Sequence, residues 1–130
     1  MKQRLIEKAK EAINTAYAPY STFKVGAALL CNDGSIYTGS NIENSCFSPT
    51  VCAERVAFFK AVSDGKRDFS AIAVCGAKNG VLTESFCYPC GVCRQVMSEF
   101  CKGDFKIYVM SRDDVREYCL SELLPESFAL

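Results

Sequence analysis

The run from Phe69 to Ala77 constrains the fold more than any other segment, because nearly all of its residues are apolar or small. A strand with this pattern is covered on both faces, since an exposed face would carry polar side chains at alternate positions. The run therefore predicts the central strand of a three-layer α/β/α fold with a mixed sheet. With 130 residues, 49% of them hydrophobic, the chain can bury such a core, and we expect residues 1–130 to form a single domain.

Other periodicities supply the remaining layers. Apolar residues at three- and four-residue spacing predict a first helix that ends before Pro19. Asn32-Asp33-Gly34 is a tight-turn signal that joins two strands into a hairpin. The predicted elements are a helix over 2–17, strands over 23–30 and 35–38, a helix over 52–62, a strand over 69–77, a helix over 89–100, a strand over 106–110 and a short helical tail. The residues of the second helix expected to be buried are Ala53, Val56, Ala57, Phe59 and Ala61.

The absence of histidine limits the chemistry that this chain can perform. It excludes a Ser-His-Asp triad, a Cys-His dyad and any zinc site built on imidazole. Fifteen basic residues balance fifteen acidic residues, whereas a protein that binds long nucleic acid usually carries a basic excess. The composition therefore favours a small, weakly charged ligand over a nucleic acid polymer.

The cysteine count and the apolar runs bear on the cellular compartment. No apolar run reaches membrane-spanning length, and the charged start from Met1 to Lys8 lacks the apolar stretch of a signal peptide. We therefore expect a soluble, cytoplasmic protein with no membrane partner. Nine cysteines would suggest disulfides in a secreted chain, but the odd count and the missing export signal favour reduced thiols and metal binding.

Pro89-Cys90-Gly91-Val92-Cys93 is the strongest local motif. Two thiols three positions apart at the start of a helix can bind one metal ion, and the helix N-terminus favours their thiolate forms. The same two residues could also form a redox pair or be two buried cysteines. The pair alone leaves this choice open.

Cys52-Ala53-Glu54 supplies a third thiol and a nearby carboxylate at another predicted helix start. Three protein ligands on tetrahedral zinc leave the fourth position for water, which is typical of a catalytic zinc site. Glu54 could then carry protons between water and substrate, although a helix N-terminus favours a glutamate even without such a role. We predict Cys52, Cys90 and Cys93 as metal ligands and Glu54 as the catalytic proton carrier.

Charge balance assigns a possible role to Arg55. Three thiolates and one Zn²⁺ sum to minus one, which makes water at the metal less acidic than it is on zinc with neutral ligands. Arg55 could offset this charge by donating hydrogen bonds to the sulfur atoms. An exposed ion pair is the ordinary alternative for such an arginine.

Both cysteine motifs lie within a wider resemblance. Thr50-Val51-Cys52-Ala53-Glu54-Arg55, followed by Pro89 to Val96, resembles the two-part signature of the small homotetrameric cytidine deaminases. Further matches in family order are Ala18 to Ser21, Phe23, Val25 to Leu29, Gly39 to Asn44, and Leu123 to Pro125 with Phe128. This resemblance implies the fold of that family and zinc-dependent hydrolysis of cytidine and deoxycytidine to uridine and deoxyuridine, with release of ammonia, in pyrimidine salvage.

The resemblance also implies the substrate contacts and the assembly. Asn41 and Glu43 would hydrogen-bond the ribose hydroxyls, and Phe23 would pack against the pyrimidine. Ala53 would donate its backbone N–H to the base carbonyl. Similar enzymes are homotetramers with active sites near subunit interfaces, in which the counterpart of Phe128 closes a neighbour's pocket. Taken alone, these residues would be ordinary core, loop and terminal positions.

Other functions remain open from the sequence. Cys87, Cys90 and Cys93, with Cys52 as a fourth ligand, overlap an iron–sulfur spacing and suggest an electron carrier, which leaves Glu54 without a role. A second alternative keeps the zinc chemistry and changes the substrate to a cytosine-containing antibiotic nucleoside. A third is a zinc-stabilised binding module without turnover. Phe47 stands where many relatives carry tyrosine, and this departure bears on substrate preference.

Overall fold

The computed structural model describes residues 1–130 and is built around a six-stranded sheet. The strands are β1 (Phe23–Cys31), β2 (Ile36–Ser40), β3 (Phe69–Lys78), β4 (Val81–Leu82), β5 (Lys106–Met110) and β6 (Val115–Cys119). They lie in the order β2-β1-β3-β5-β6, and the short β4 pairs with β3. β3 and β5 are parallel, and all other neighbouring strands are antiparallel. The mixed sheet is confirmed, and the apolar run 69–77 lies in its central strand.

Helices cover both faces of this sheet. They are α1 (Lys2–Ala12), α2 (Ala53–Ser63), α3 (Gly91–Phe100) and α4 (Leu120–Leu123). Successive side chains of β3 point to opposite faces. Ile72 and Val74 pack in one core cluster with residues of α2 and α3. Ala73 and Cys75 pack in a second cluster with residues of α1. The predicted three-layer α/β/α arrangement is confirmed. No helix is both long enough and apolar enough to cross a membrane.

Two details of the helices differ from the sequence prediction. α1 ends at Ala12 and continues as a 3-10 turn over Ile13–Thr15, because the chain then becomes extended and bridges to the loop before α2. In α2 the buried aromatic residue is Phe58, and the expected Phe59 is 49% exposed. Phe58 lies one turn after Glu54 and one turn before Ala61, so it shares their buried stripe.

Two strands, β4 and β6, were not predicted from the sequence. β4 contains only two residues, which is too short to show a pattern. β6 is an outer strand whose first three side chains are exposed. Its Arg116 and Glu117 interrupt the apolar pattern that a covered strand would show, and charged residues are common on such edges. β6 leads directly into α4 and so fixes the start of the C-terminal segment.

A glycine allows α2 to lie close against β2. A Cβ atom added at Gly39 would lie 2.3 Å from the Ala53 carbonyl oxygen and 2.5 Å from the Ala57 amide nitrogen. Gly39 has no positive φ angle, so space, and not backbone conformation, requires the glycine. The missing side chain therefore sets the depth at which the first turn of α2 meets the sheet. Gly26 has an equivalent role beneath α1, where an added Cβ would lie 2.1 Å from the Ala9 carbonyl oxygen.

Candidate active site

Three thiols meet where the N-termini of α2 and α3 approach each other. Cys52 is the N-cap of α2, Cys90 is the N-cap of α3, and Cys93 lies in the first turn of α3. The Cys52 and Cys90 sulfur atoms are 3.7 Å apart, those of Cys90 and Cys93 are 3.4 Å apart, and all three lie within 4.8 Å of one another. Tetrahedral zinc with Zn–S bonds of about 2.3 Å would hold its sulfur ligands about 3.8 Å apart. The donor set therefore fits zinc.

The surroundings of the three thiols favour negative charge. The thiols lie at the N-termini of two helices, where the positive end of the helix dipole favours negative charge, and the Cys93 N–H donates to the Cys90 sulfur over 3.5 Å. A hydrogen bond from Cys93, opposed by burial and assisted by Arg55 and Cys90, lowers the pKa of Cys52 to about 5. The same hydrogen bond, together with burial, raises the pKa of Cys93. The hydrogen bond therefore favours the thiolate form of Cys52 over that of Cys93.

Arg55 lies on the first turn of α2 and contacts the cluster directly. Its Nη2 donates to the Cys52 sulfur over 3.4 Å. Burial opposes the charge of the guanidinium, but hydrogen bonds to Cys52 and Cys93 raise the pKa of Arg55 above its ordinary value. The Nε atom of the same side chain is buried without a hydrogen-bond partner. The structure thus places Arg55 on the sulfur atoms and not in an exposed ion pair.

Glu54 is buried, with 3% of its surface exposed, in the same helical turn. Burial raises the pKa of its carboxyl group to about 7, and the negative charge on Cys52 contributes further to the increase. A carboxyl group with a pKa near neutrality can both accept and donate a proton at physiological pH. Its position two residues after Cys52 places this group beside the three thiols.

Asn41 lies at the end of β2 and is tied to β1. Its Oδ1 accepts a hydrogen bond of 2.8 Å from the Val25 N–H, and its Nδ2 donates one of 2.8 Å to the Phe23 carbonyl. One donor and one acceptor position of this amide therefore bind the start of β1, where Phe23 lies. The remaining donor and acceptor positions of the amide are available for a ligand.

Glu43 lines an open cavity of about 470 Å³ together with Tyr20 and Ser21. Its carboxylate accepts hydrogen bonds from the Tyr20 N–H at 2.9 Å, from the Ser21 N–H at 3.1 Å and from the Ser21 hydroxyl. The Ser21 hydroxyl makes the largest contribution to lowering the pKa of Glu43. The role of Ser21 could not be predicted from sequence, because a serine that donates to a carboxylate more than twenty residues away has no local sequence signal. Phe47 lines the same cavity and is 86% exposed.

Phe23 is the first residue of β1, and its ring lies over Gly76 of β3. A Cβ atom at Gly76 would be 2.8 Å from the Phe23 ring and 3.3 Å from the Cys87 sulfur. The two side chains therefore share the space above this glycine. Burial raises the pKa of Cys87 to about 12, so its thiol stays neutral. Cys87 is absent from the group of sulfur atoms that could bind a metal, which leaves the iron–sulfur alternative without a fourth sulfur ligand.

The two remaining predicted residues have contrasting environments. Ala53 is completely buried and is the first residue of α2, where backbone N–H groups have no partner within the helix. Phe128 follows α4, is 68% exposed and belongs to neither core cluster. The structure therefore brings Ala53 into the thiol and carboxylate cluster but leaves Phe128 at the surface of the chain.

Comparisons with known proteins agree with this geometry. Residues 1–110 match the family model described as the cytidine and deoxycytidylate deaminase zinc-binding region. The chain is 51% identical to a cytidine deaminase from Sporosarcina psychrophila, over 98% of this chain and 90% of the relative. A crystal structure of cytidine deaminase from Burkholderia pseudomallei superposes with a TM-score of 0.90 at 45% identity, over 98% of this chain and 99% of that one. A blasticidin-S deaminase from Bacillus cereus is 34% identical, over 93% of this chain and 87% of the relative.

Proposed function

The chain belongs to the cytidine and deoxycytidylate deaminase family, and we infer that it is a zinc-dependent enzyme that hydrolyses cytidine and deoxycytidine to uridine and deoxyuridine with release of ammonia. The observation that carries this conclusion is the meeting of three thiols, spaced as zinc ligands, with a buried carboxyl group two residues after one of them. The catalytic unit would comprise residues 1–130.

Cys52, Cys90 and Cys93 would hold the zinc ion. Zinc, when bound, supplies a Lewis acid that lowers the pKa of water from about 15.7 towards about 7. Arg55 contributes by donating to the Cys52 sulfur, which draws electron density from the thiolate and offsets the net negative charge of three thiolates on a divalent cation.

Glu54 is the proposed proton carrier. Its carboxylate accepts a proton from the attacking water and delivers it to ring nitrogen N3, so that the oxygen adds at C4 of the base. It then accepts the remaining proton of that oxygen and gives it to the exocyclic amine, which leaves as ammonia. These transfers convert cytidine and water into uridine and ammonia without any other reactant. The pKa near 7 that burial gives to Glu54 suits a group that must accept and donate in one cycle.

The sugar would occupy the cavity that Glu43 lines, and the base would extend from it towards Glu54 and the thiols. Glu43, held by Ser21 and the Tyr20 N–H, presents a carboxylate to the ribose hydroxyls, and Asn41 offers its remaining amide positions. The Phe23 ring packs against the pyrimidine, and Ala53 donates its backbone N–H to the base carbonyl. Shape and hydrogen bonding, more than charge, would then select a neutral nucleoside over a nucleic acid polymer.

The quaternary structure and the cellular location extend this proposal. We propose a homotetramer in which Phe128 of one subunit closes the pocket of another, because its exposed ring has no partner within its own chain. Phe59 on α2 offers a second exposed aromatic surface for such contacts. A cytoplasmic location agrees with nine free cysteines, since a reducing compartment keeps thiols unpaired.

The decisive experiment incubates the zinc-loaded protein with cytidine and deoxycytidine while the release of ammonia and the loss of the cytosine chromophore are measured. We expect both nucleosides to be consumed, with one ammonia released for each uridine or deoxyuridine formed. Glu54→Gln is the matched control, because it removes the proton carrier and leaves all three thiols. We expect it to keep its zinc and to lose about 10²- to 10⁴-fold in kcat.

Two outcomes would contradict this proposal. A zinc-loaded protein that turns over neither nucleoside but releases ammonia from blasticidin S would favour the antibiotic substrate of the more distant relative. An E54Q variant with unchanged kcat would exclude the proton-carrier role, even if both nucleosides are deaminated.

A further inference from the structure

Arg94 follows the proposed ligand Cys93, but its side chain bonds to two carbonyl groups instead of to the sulfur cluster. Its Nε donates to the Pro89 carbonyl over 2.8 Å, and its Nη1 donates to the Leu123 carbonyl over 2.7 Å. The side chain is half-buried. One planar guanidinium therefore connects the loop that carries Cys90 with the end of α4, which lies close to the C-terminus.

The Pro89 carbonyl helps to position the backbone of Cys90. This carbonyl belongs to the planar peptide unit that also contains the Cys90 nitrogen, so holding the oxygen fixes that plane. Pro89 is fully buried, whereas Cys90 is exposed and follows a loop without regular secondary structure. The Cys90 sulfur contacts the other two thiols and the Cys93 N–H, and the hydrogen bond from Arg94 holds the peptide unit that precedes this side chain.

The Leu123 carbonyl is a natural acceptor for this arginine. It belongs to the last residue of α4, where carbonyl groups have no N–H partner further along the helix. Basic side chains often satisfy such carbonyls. Here the donor comes from α3, and the hydrogen bond therefore ties α4 to the loop before Cys90. Phe128 lies five residues after Leu123, so the same contact anchors the start of the segment that carries this aromatic residue.

We propose that Arg94 is a positioning residue for the zinc ligand Cys90 and couples the packing of α4 to the geometry of the metal centre. This inference rests on the proposed function, because it assumes that Cys90 binds zinc. Arg94 acts through two backbone carbonyls and does not touch substrate or metal. A planar fork that holds two acceptors fixes their separation, which a single flexible ammonium group cannot do.

Arg67 provides a matched control for the same type of contact. Its Nη1 donates to the carbonyls of Val62 (2.9 Å) and Lys66 (2.8 Å), at the end of α2 remote from Cys52. R67Q therefore removes two arginine–carbonyl hydrogen bonds, as R94Q does, but none of them touches a ligand-bearing loop. Any difference between the two variants in metal binding then reports on the position of Arg94 and not on the loss of hydrogen bonds as such.

The test measures the rate of zinc release from wild type, R94Q, R94K and R67Q into a chromophoric chelator, and the thiolate-to-metal absorption of each protein loaded with Co²⁺. We expect R94Q to release zinc about 10-fold faster or more, in line with the loss of other groups that orient metal ligands, and to show shifted cobalt bands. R67Q should match wild type in both measurements. R94K keeps the charge but not the fork, so it should resemble R94Q, and it carries the test if R94Q does not fold.

Equal zinc release and equal cobalt spectra in R94Q, R67Q and wild type would overturn the inference, and so would complete rescue by R94K, which would show that charge alone matters. Failure of the proposed function would look different. In that case wild type itself would bind no zinc or would deaminate neither nucleoside. A wild-type enzyme that is loaded and active, beside an R94Q variant that releases zinc at the normal rate, would remove only the role of Arg94.

Discussion

Gly39→Ala is expected to displace the first turn of α2, which carries Glu54, without removing any side chain of the proposed site. The added Cβ atom would lie 2.3 Å from the Ala53 carbonyl oxygen, while an ordinary contact needs at least 3.4 Å. The first turn of α2 must therefore move away from β2 by about 1.1 Å, the difference between these distances. Ala53 lies between Cys52 and Glu54, so both side chains move with it relative to the thiols on α3.

The size of the kinetic effect follows from this displacement. A misplacement of about 1 Å in a catalytic constellation can reduce the rate about 10²-fold. We therefore expect kcat/KM for cytidine to fall by about two orders of magnitude in the folded, zinc-loaded variant. Overpacking a tight contact also lowers the free energy of unfolding by about 1–3 kcal/mol. The assay must accordingly be run well below the unfolding midpoint, with activity normalised to bound zinc.

Gly26→Ala separates the kinetic effect from the loss of stability. It creates an equally severe contact, 2.1 Å from the Ala9 carbonyl oxygen, but beneath α1, which carries no proposed site residue. We expect G26A to lose stability while its folded fraction keeps a nearly normal kcat/KM. Two results would contradict a kinetic effect of the displaced turn. One is a folded G39A variant with wild-type kcat/KM, and the other is a G26A variant that loses as much activity per bound zinc as G39A does.

Three further outcomes follow from the site. Ser21→Ala removes the main cause of the lowered pKa of Glu43, although Lys78 remains nearby, so the carboxylate becomes protonated at a higher pH than in wild type. On acidification, KM for cytidine should therefore begin to rise at a higher pH in the variant. An unchanged KM–pH profile would exclude this role of Ser21. Cys87→Ser should bind as much zinc as wild type, since the Cys87 sulfur is not among the three that cluster. Its buried hydroxyl should lower the free energy of unfolding by about 1–3 kcal/mol. Loss of zinc from this variant would instead make Cys87 a ligand. Chelation of zinc should lower the unfolding midpoint, because free zinc at 1,000 times its Kd stabilises the folded state by about 4 kcal/mol; a midpoint independent of zinc would contradict structural coupling of the metal.

The three thiols of the proposed metal site could be predicted from sequence because each motif that supplies them is short and continuous. Cys90 and Cys93 are one helical turn apart, and Cys52 lies at another helix start, so the folding of two helices already orients all three thiols. The central strand could be predicted for a similar reason, since burial on both faces leaves an unbroken apolar run. Such features depend on short-range patterns.

Features of the structure that the sequence did not predict depend on contacts between distant segments. Nothing near Phe58 and Phe59 shows which ring turns inward, because that choice depends on how deeply α2 rests on β2. Ser21 acquires its role only when the loop after α1 meets Glu43. The edge strand β6 has no buried face that would impose a periodic pattern.

The hydrogen bonds of Asn41 to the backbone limit how the proposed sugar site could be redesigned. Its inner donor and acceptor are engaged by peptide groups on either side of Lys24, one of which belongs to Phe23. Replacing this amide with a carboxylate would set a second acceptor against the Phe23 carbonyl, and any apolar residue would leave both peptide groups unpaired. Engineering for new nucleoside analogues should therefore leave this position intact and vary the exposed rim at Phe47, where substitutions cost the scaffold little.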